Sequence, residues 1–389
     1  MTLNLDRSAW RRVRFGDVVT NVNETVKEPT TAGIDRVIAM EHLDSGELKI
    51  ARSGGVTDGT TFTRRVRPGQ TLFGKRRAYQ RKVAYAEFDA ICSGDILVFE
   101  AQQNLLLPEL LPFLVMSDGF FEHALGTSAG SLSPRTRWSD LARYEFDLPP
   151  LSEQRRIADL LWSLESTRET TKATARLGQV VEVKLLEEAF APGWPMKTVA
   201  EMGNVQLGQQ LHPKYRSGPN VRPYLRVANV GDDCLYLDDV ASMDFSDRGA
   251  EKFRLQSGDI LLNEGQSIEL VGRCAMFRGE IPDCYMQKTL LRFRSGPDVL
   301  PDFALAWFRR CFYLGNFSET AKRTTSMAHL TAVRFSAMPM PCPPKREQRA
   351  LAQRVEAVGQ ALALVRQELS ALQRLRSFLL RTILEGYAA

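Results

Sequence analysis

A seven-residue phrase, Pro-Pro-x-x-Glu-Gln-Arg, occurs twice in this chain at an offset of 194 residues, and each copy opens a long helical stretch. The first copy is Pro149-Pro150-Leu151-Ser152-Glu153-Gln154-Arg155, and the second is Pro343-Pro344-Lys345-Arg346-Glu347-Gln348-Arg349. The chain has 389 residues, so the offset divides it nearly in half. An internal repeat of this length is one structural unit made twice, which outside solenoids implies pseudo-twofold symmetry.

Weaker echoes follow the same division. Val37-Ile38-Ala39-Met40-Glu41-His42-Leu43 aligns with Tyr224-Leu225-Arg226-Val227-Ala228-Asn229-Val230, each with the alternation of a strand. Arg67-Pro68-Gly69-Gln70-Thr71-Leu72 matches Gln256-Ser257-Gly258-Asp259-Ile260-Leu261, a glycine turn leading into a strand. Ile96–Phe99 pairs with Leu290–Phe293, and Trp10 and Trp194 open the two halves. The expected fold is mixed α/β (α+β): two pseudo-twofold-related α/β domains separated by two long antiparallel coiled-coil helices. The expected divisions are 1–151 and 192–345 for the domains, and 152–191 and 346–389 for the helices.

Helical periodicity is clearest in the second half. From Leu351, alternating steps of four and three give Leu351, Val355, Val358, Leu362, Val365, Leu369, Leu372, Arg376, Leu379 and Ile383, apolar at nine of ten positions. That is a coiled-coil seam, and Gly386 follows as a stop signal. The first helix, Ser152 to about Ala191, carries its seam at Ile157, Leu160, Leu164, Val181 and Leu185, with a weak middle from Thr167 to Gly178. Forty residues of helix span ~60 Å, too long to bury a stripe on one small domain. The two rods are therefore expected to pack on each other, antiparallel, with the Met1–Trp10 segment near the end of the second. Two unrelated surface helices are the alternative.

Composition adds bounds. A formal charge of +5 points to a local positive surface rather than a basic tail. Six cysteines (Cys92, Cys234, Cys274, Cys284, Cys311, Cys342) at irregular spacing indicate neither a zinc site nor a disulfide framework. With no signal-like leader and no apolar run near ~18 residues, a cytoplasmic protein outside the membrane is expected.

The positive charge has an address. Between Gly59 and Ala86 lie eight basic residues and no acidic ones: Arg64, Arg65, Arg67, Lys75, Arg76, Arg77, Arg81 and Lys82. Tyr79 and Gln80 sit among the last five. Arginine forks suit phosphates and guanine edges, glutamine suits adenine, and an aromatic ring can stack or wedge. Flanking Leu72, Phe73, Val83 and Tyr85 tie the run to a core, which favours a nucleic-acid surface over a merely solvated charge run. Arg135 and Arg137 beside Trp138 form a second cluster, after the flexible stretch Gly126–Ser131. In the other half the candidates are Arg226, Asn229, Asn263, Gln266, Arg273, Gln287, Lys288, Lys322 and Arg323, within a thinner basic set. The halves share framework residues but not these loops, as a protein reading two different things with one scaffold would.

Catalytic sets are missing. His42, His123, His212 and His329 stand singly, and there is no H-E-x-x-H, G-x-S-x-G or Walker loop. The double prolines lack the polar residue of an amino-methyltransferase D/N-P-P-Y turn, and Pro282-Asp283 lacks the E-x-K of a restriction-type nuclease. No catalytic residue, metal site or cofactor is expected in this chain.

Two variable globules, each followed by a long helix opening with P-P-x-x-E-Q-R, resemble the DNA specificity subunit of type I restriction–modification systems. Leu148–Ile157 is the most specific part of the resemblance, and Gly74–Gln80 and Tyr224–Val230 are similar to segments of that family's two target-recognition domains. The resemblance implies that each globule reads one half of a split, asymmetric DNA site while the helices fix the gap between halves. It further implies two adenine-N6 modification subunits carrying S-adenosylmethionine, joined by nuclease–translocase subunits using ATP and magnesium. A methylation-only complex, a fused enzyme and a non-DNA coiled-coil scaffold remain as alternatives at this point.

Overall fold

The computed structural model describes residues 6–130, 133–190, 193–246, 250–324 and 327–385. Met1–Leu5, Ser131, Ala191 and Gly386, which entered the expectations above, lie outside the described residues. The chain forms two compact units, Met1–Lys172 with Gln367–Ala389, and Ala173–Arg366. Each unit thus takes in part of both long helices, where the sequence divided domains from helices.

In the first unit, four antiparallel strands lie in the order Val19–Val22, Ile96–Ala101, Thr71–Gly74, Val83–Tyr85. Gly69, at φ +88°, makes the turn into Thr71–Gly74. A second sheet orders Gly54–Gly55, Arg36–Ile38, Ala90–Cys92 and Arg64–Val66. The strand Arg11–Arg14 pairs with Glu145–Leu148 just ahead of the double proline. Phe15, Phe73, Phe99, Phe113, Phe120 and Phe121 fill the core between sheet and helices, each ring worth roughly 1.5–3 kcal/mol of burial.

The second unit repeats this plan. Its antiparallel sheet orders Gly203–Leu207, Leu290–Ser295, Asp259–Asn263 and Cys274–Phe277. The smaller sheet holds Ala241–Asp244, Val221–Leu225 and Tyr285–Met286, and Met196–Thr198 pairs with Pro339–Pro341. Gly258, at φ +92°, makes the turn that Gly69 makes in the first. The aligned Val37 and Tyr224 segments start as strands and then coil into one turn of 3-10 helix, Met40–His42 and Val227–Asn229. In each turn a side chain reaches back to the main chain: His42 Nδ1 accepts from the Ala39 N–H, and Asn229 Oδ1 from the Arg226 N–H, both at 3.0 Å.

The repeated glutamine explains the repeated phrase. Gln154 Nε2 donates to the Leu105 and Pro149 carbonyls and its Oε1 accepts from the Leu107 N–H, at 2.8–2.9 Å. Gln348 does the same with the Asp298 and Pro343 carbonyls and the Leu300 N–H. Both side chains are buried, so each ties a helix start to its own unit by satisfying buried and part-buried main-chain groups.

The long helices run Leu151–Ala189 and Lys345–Leu380, the latter continuing as a π-helical turn to Glu385. Along the second, all ten positions of the apolar series are buried or half-buried. Arg376, the one polar position, reaches Glu165 at 2.9 Å and the Gly46 carbonyl at 2.8 Å. On the first helix Ile157, Leu164 and Leu185 face inward, while Leu160 and Val181 are exposed. The inward series there is Gln154, Ala158, Leu161, Glu165, Arg168, Lys172, Ala175, Gln179, Glu182 and Leu186. It is a heptad series six of whose ten members are polar, so an apolar search lands one residue out at Leu160 and Val181.

Ion pairs satisfy those polar positions. In the first unit Arg168 forks onto Glu47, which Lys172 also meets at 2.9 Å. In the second, Glu182 meets Arg309 at 2.7 Å and Arg366 bonds Gln179 and Asp232. Within that unit Gly178 sits under Leu362 and Glu182 beside Gly359, so the two helix segments run antiparallel. In the first unit, Arg7 donates to the Thr382 and Ile383 carbonyls at 2.8 Å, placing Arg7 at the end of the second helix. No helix among the described residues is long and apolar enough to cross a membrane.

Candidate nucleic-acid interface

Two basic clusters some sixty residues apart in sequence become one surface in the first unit. The Lys75 N–H donates to the Asp95 carbonyl and the Lys75 carbonyl accepts from the Thr136 N–H, both at 3.0 Å. Arg76 then bridges Arg135, the Arg77 N–H bonds the Pro134 carbonyl at 2.9 Å, and Arg135 bridges Ala129. These segments form a short three-way antiparallel ladder that holds Lys75, Arg76, Arg77 and Arg135 side by side. Asp95 is its anionic anchor, with Arg135 Nε at 3.2 Å and Arg76 Nη1 at 3.8 Å.

Backbone conformation sorts the rest of the loop. Arg77 and Arg81 both take left-handed conformations, at φ 56° and 50°, bracketing a 3-10 turn Ala78–Gln80. Non-glycine residues there carry local strain, which sites of function often hold. The turn leaves Arg77 and Tyr79 exposed, with Gln80 half-buried. It swings Arg81 inward, onto Asp118 and over the Phe121 ring at 4.7 Å. Lys82 Nζ donates to the Met40 carbonyl at 2.6 Å and Arg64 Nη1 to the Ile96 carbonyl at 2.5 Å. Arg64, Arg81 and Lys82 are therefore taken up by the unit itself, correcting their assignment to the DNA surface. Arg137, at the start of the helix Trp138–Leu141, is exposed beside the ladder. Burial pushes the Lys75 ammonium below its usual pKa, helped by Arg64 and Arg135 and opposed by Asp95. This crowded cation gains from an arriving anion.

The second unit builds the same ladder from different side chains. The Glu264 N–H donates to the Thr289 carbonyl at 3.0 Å, and its carbonyl accepts from the Leu330 N–H at 2.8 Å. Gly265–Gln266 pairs with Ala328–His329, which pairs with Lys322–Arg323. Glu264 thus stands where Lys75 stands, Gln266 where Arg77 stands, Thr289 for Asp95 and His329 for Arg135. His329 Nδ1 lies 3.4 Å from Glu264. Lys322 and Arg323 are exposed on the outer strand, and Lys288 is exposed beside Gln287.

Two second-half candidates are corrected. Asn229 is buried and spends its Nδ2 on the Tyr236 and Asp239 carbonyls, closing the 3-10 turn rather than facing a ligand. Asn263 is fully buried, with neither Oδ1 nor Nδ2 partnered, because its strand turns that side chain toward the smaller sheet. Arg226 pairs with Asp239 at 2.5 Å, and Arg273 is half-buried with an unpartnered Nε. Gln287 Oε1 accepts from the Thr289 hydroxyl at 3.1 Å. Sequence reasoning missed Asp95, Glu264, Thr289 and His329. For Glu264 and His329 the signal was the repeat, since extending the alignment sets them opposite Lys75 and Arg135; Asp95 and Thr289 face each other and had no such signal.

Among the described residues no group of histidine, cysteine and carboxylate side chains is arranged to hold a metal ion. Residues 10–177 match the family described as type I restriction modification DNA specificity domain. The EcoKI type I restriction enzyme specificity subunit of Escherichia coli K12 is 25% identical over 290 residues, 67% of this chain and 62% of that protein. The EcoDI specificity subunit of E. coli is 25% identical over 188 residues, 46% of this chain and 41% of that one. The match to these two relatives therefore spans about three-fifths of one and two-fifths of the other. The fold is shared with the S subunit of a type I restriction–modification system from M. genitalium, with TM-score 0.62, 15% identity and 99% and 98% of the two chains covered. It is shared also with a chain solved in work on assembly and conformational transition of a type I system, with TM-score 0.55, 20% identity and 96% and 97% covered.

Proposed function

We propose, from a chain whose residues 10–177 are a type I restriction modification DNA specificity domain, that it is the sequence-reading subunit of such a system. Each unit contacts one half of a bipartite double-stranded DNA site. The observation that carries this reading is the basic ladder of Lys75, Arg76, Arg77 and Arg135, built inside the matched domain, whose main-chain frame recurs with other side chains in the second unit. Lysine and arginine forks hold phosphates and fix register, and the side chains reaching a groove floor carry the sequence information.

The chain binds without doing chemistry of its own. Modification subunits carrying S-adenosylmethionine dock along the helices and methylate an adenine drawn out of the stack; nuclease–translocase subunits would bring ATP and magnesium. The helices fix the count of unread base pairs. Support for docking comes from apolar side chains left exposed on the helices, Leu160, Leu177, Val180, Val181 and Leu364. Cytoplasmic residence follows from the same reading.

A map of adenine methylation in cells with and without this chain tests the proposal. The expected result is a split motif, two short blocks around a fixed gap, that vanishes on deletion. An unchanged map, with DNA and heparin binding by the purified complex insensitive to salt, would instead favour a protein-only scaffold.

A further inference from the structure

We propose that the two units read different bases through one ladder: a guanine edge is met by the first unit and an adenine edge by the second. This inference rests on the DNA-reading function proposed above and adds to it the chemistry of each half-site.

Main-chain bonds make the comparison position by position, since Lys75 and Glu264 occupy the same node of the ladder in their units. In the first unit that node is a cation, flanked by Arg76, Arg77 and Arg135 and balanced only by Asp95. The Arg77 side chain makes no hydrogen bond or ion pair among the described residues, and it is exposed beside the left-handed turn. An unpaired guanidinium fork in a positive field matches an edge offering two acceptors, which in the major groove is guanine O6 and N7.

The second unit reverses the field at the same node. Glu264 places a carboxylate beside His329, so an edge made of two acceptors is repelled there and an amino donor is welcomed. At the Arg77 position stands Gln266, half-buried at the ladder edge, its Oε1 accepting from the Ser267 N–H at 3.1 Å and keeping a second lone pair. A carboxamide pairs with adenine N6 and N7 in two bonds. The same unit buries two carboxamides with hydrogen-bonding capacity unused, Asn263 at both atoms and Gln209 at Oε1. The first unit has Gly74 at the Asn263 position, where a Cβ would come within 2.8 Å of Met40, so it has no counterpart to Asn263.

The test uses the whole chain co-expressed with its modification subunits, with the methylated motif read by sequencing. Arg77→Gln should relax a guanine position in one block, with discrimination falling between about fivefold and about a hundredfold, and leave the other block unchanged. Gln266→Arg should move an adenine position of the other block toward guanine, a gain that misfolding cannot imitate. Blocks that keep their bases in both variants overturn the inference, as does relaxation of both variants in the same block. Should Arg77→Gln abolish methylation, Arg77→Lys keeps the charge and removes the fork; undiminished guanine discrimination in that variant overturns it. Should Gln266→Arg abolish methylation, the purified variant complex is offered duplexes differing only by adenine or guanine at that position, and an unchanged preference overturns it. Absence of any split motif in the unaltered system is a different result, which refutes the DNA-reading function itself.

Discussion

Single side chains carry unusually separable duties in this molecule. Gln154 and Gln348 each satisfy three main-chain groups, two of them buried for Gln154 and one for Gln348. Losing such partners costs about 1–3 kcal/mol per stranded group before water re-enters. Gln154→Ala should therefore loosen the first unit by about 3 kcal/mol, and Gln348→Ala the second, each read as unit-specific hydrogen exchange. Equal loosening of both units by either variant would contradict it. Glu47 gives a pH signature. Burial raises its pKa, but the bonds from Arg168 and Lys172 outweigh burial and hold it near about 2, against an ordinary 4.5. A depressed carboxyl stabilises the fold above its unfolded pKa, and the gain is lost as pH falls through the folded one. With water screening allowed for, about 1–2 kcal/mol of first-unit stability should disappear between pH 4.5 and 2. Glu47→Gln should flatten that branch. At the ladder, Arg76→Glu with Arg77→Glu should weaken DNA binding at least about tenfold and lower the salt slope by about two. Unchanged affinity with an intact fold would refute the surface.

At the scale of elements, the first long helix is where pattern and structure part. Four residues inserted after Ala173 lengthen that helix by about 6 Å. The expected outcome is a changed gap in the methylated motif with both blocks of bases kept; new bases at the old gap would sink the spacing role. Leu362→Lys should place a charge against Gly178 and disrupt assembly with modification subunits, measurable by size-exclusion chromatography. The second helix was legible because nine of its ten seam positions are apolar. The first hid its seam, since Glu165, Arg168, Lys172, Gln179 and Glu182 sit inside and find charged partners distant in sequence. Hydrophobic periodicity senses transfer from water and is silent about a buried charge that brings its counter-charge. The Val37 and Tyr224 segments were misjudged for a related reason: alternation continues through residues that the His42 and Asn229 side chains pull into a 3-10 turn.

For the whole molecule, the repeat proved the most informative signal, because it exposed one plan made twice from a single sequence. The mixed α/β class and the Gly69 and Gly258 turns followed from it. The site was legible only in part. Clusters at Lys75–Arg77 and Arg135 were visible, but their union depends on main-chain bonds between Lys75 and Thr136 that no local pattern announces. Inward turns at Arg64, Arg81 and Lys82 were equally invisible, since each is decided by a carbonyl or carboxylate from elsewhere in the chain. One further consequence concerns synthesis. The first unit comprises residues 1–172 and 367–389, and its core includes Leu379, Leu380 and Ile383. Residues 173–366 contain the second unit whole. A ribosome therefore delivers a complete second unit while the first, begun earlier, still waits for its last helix. Domains usually finish in the order in which they emerge; here the order inverts. The core that Leu111, Phe113 and Leu161 share with Leu379, Leu380 and Ile383 is complete only once the second long helix has emerged.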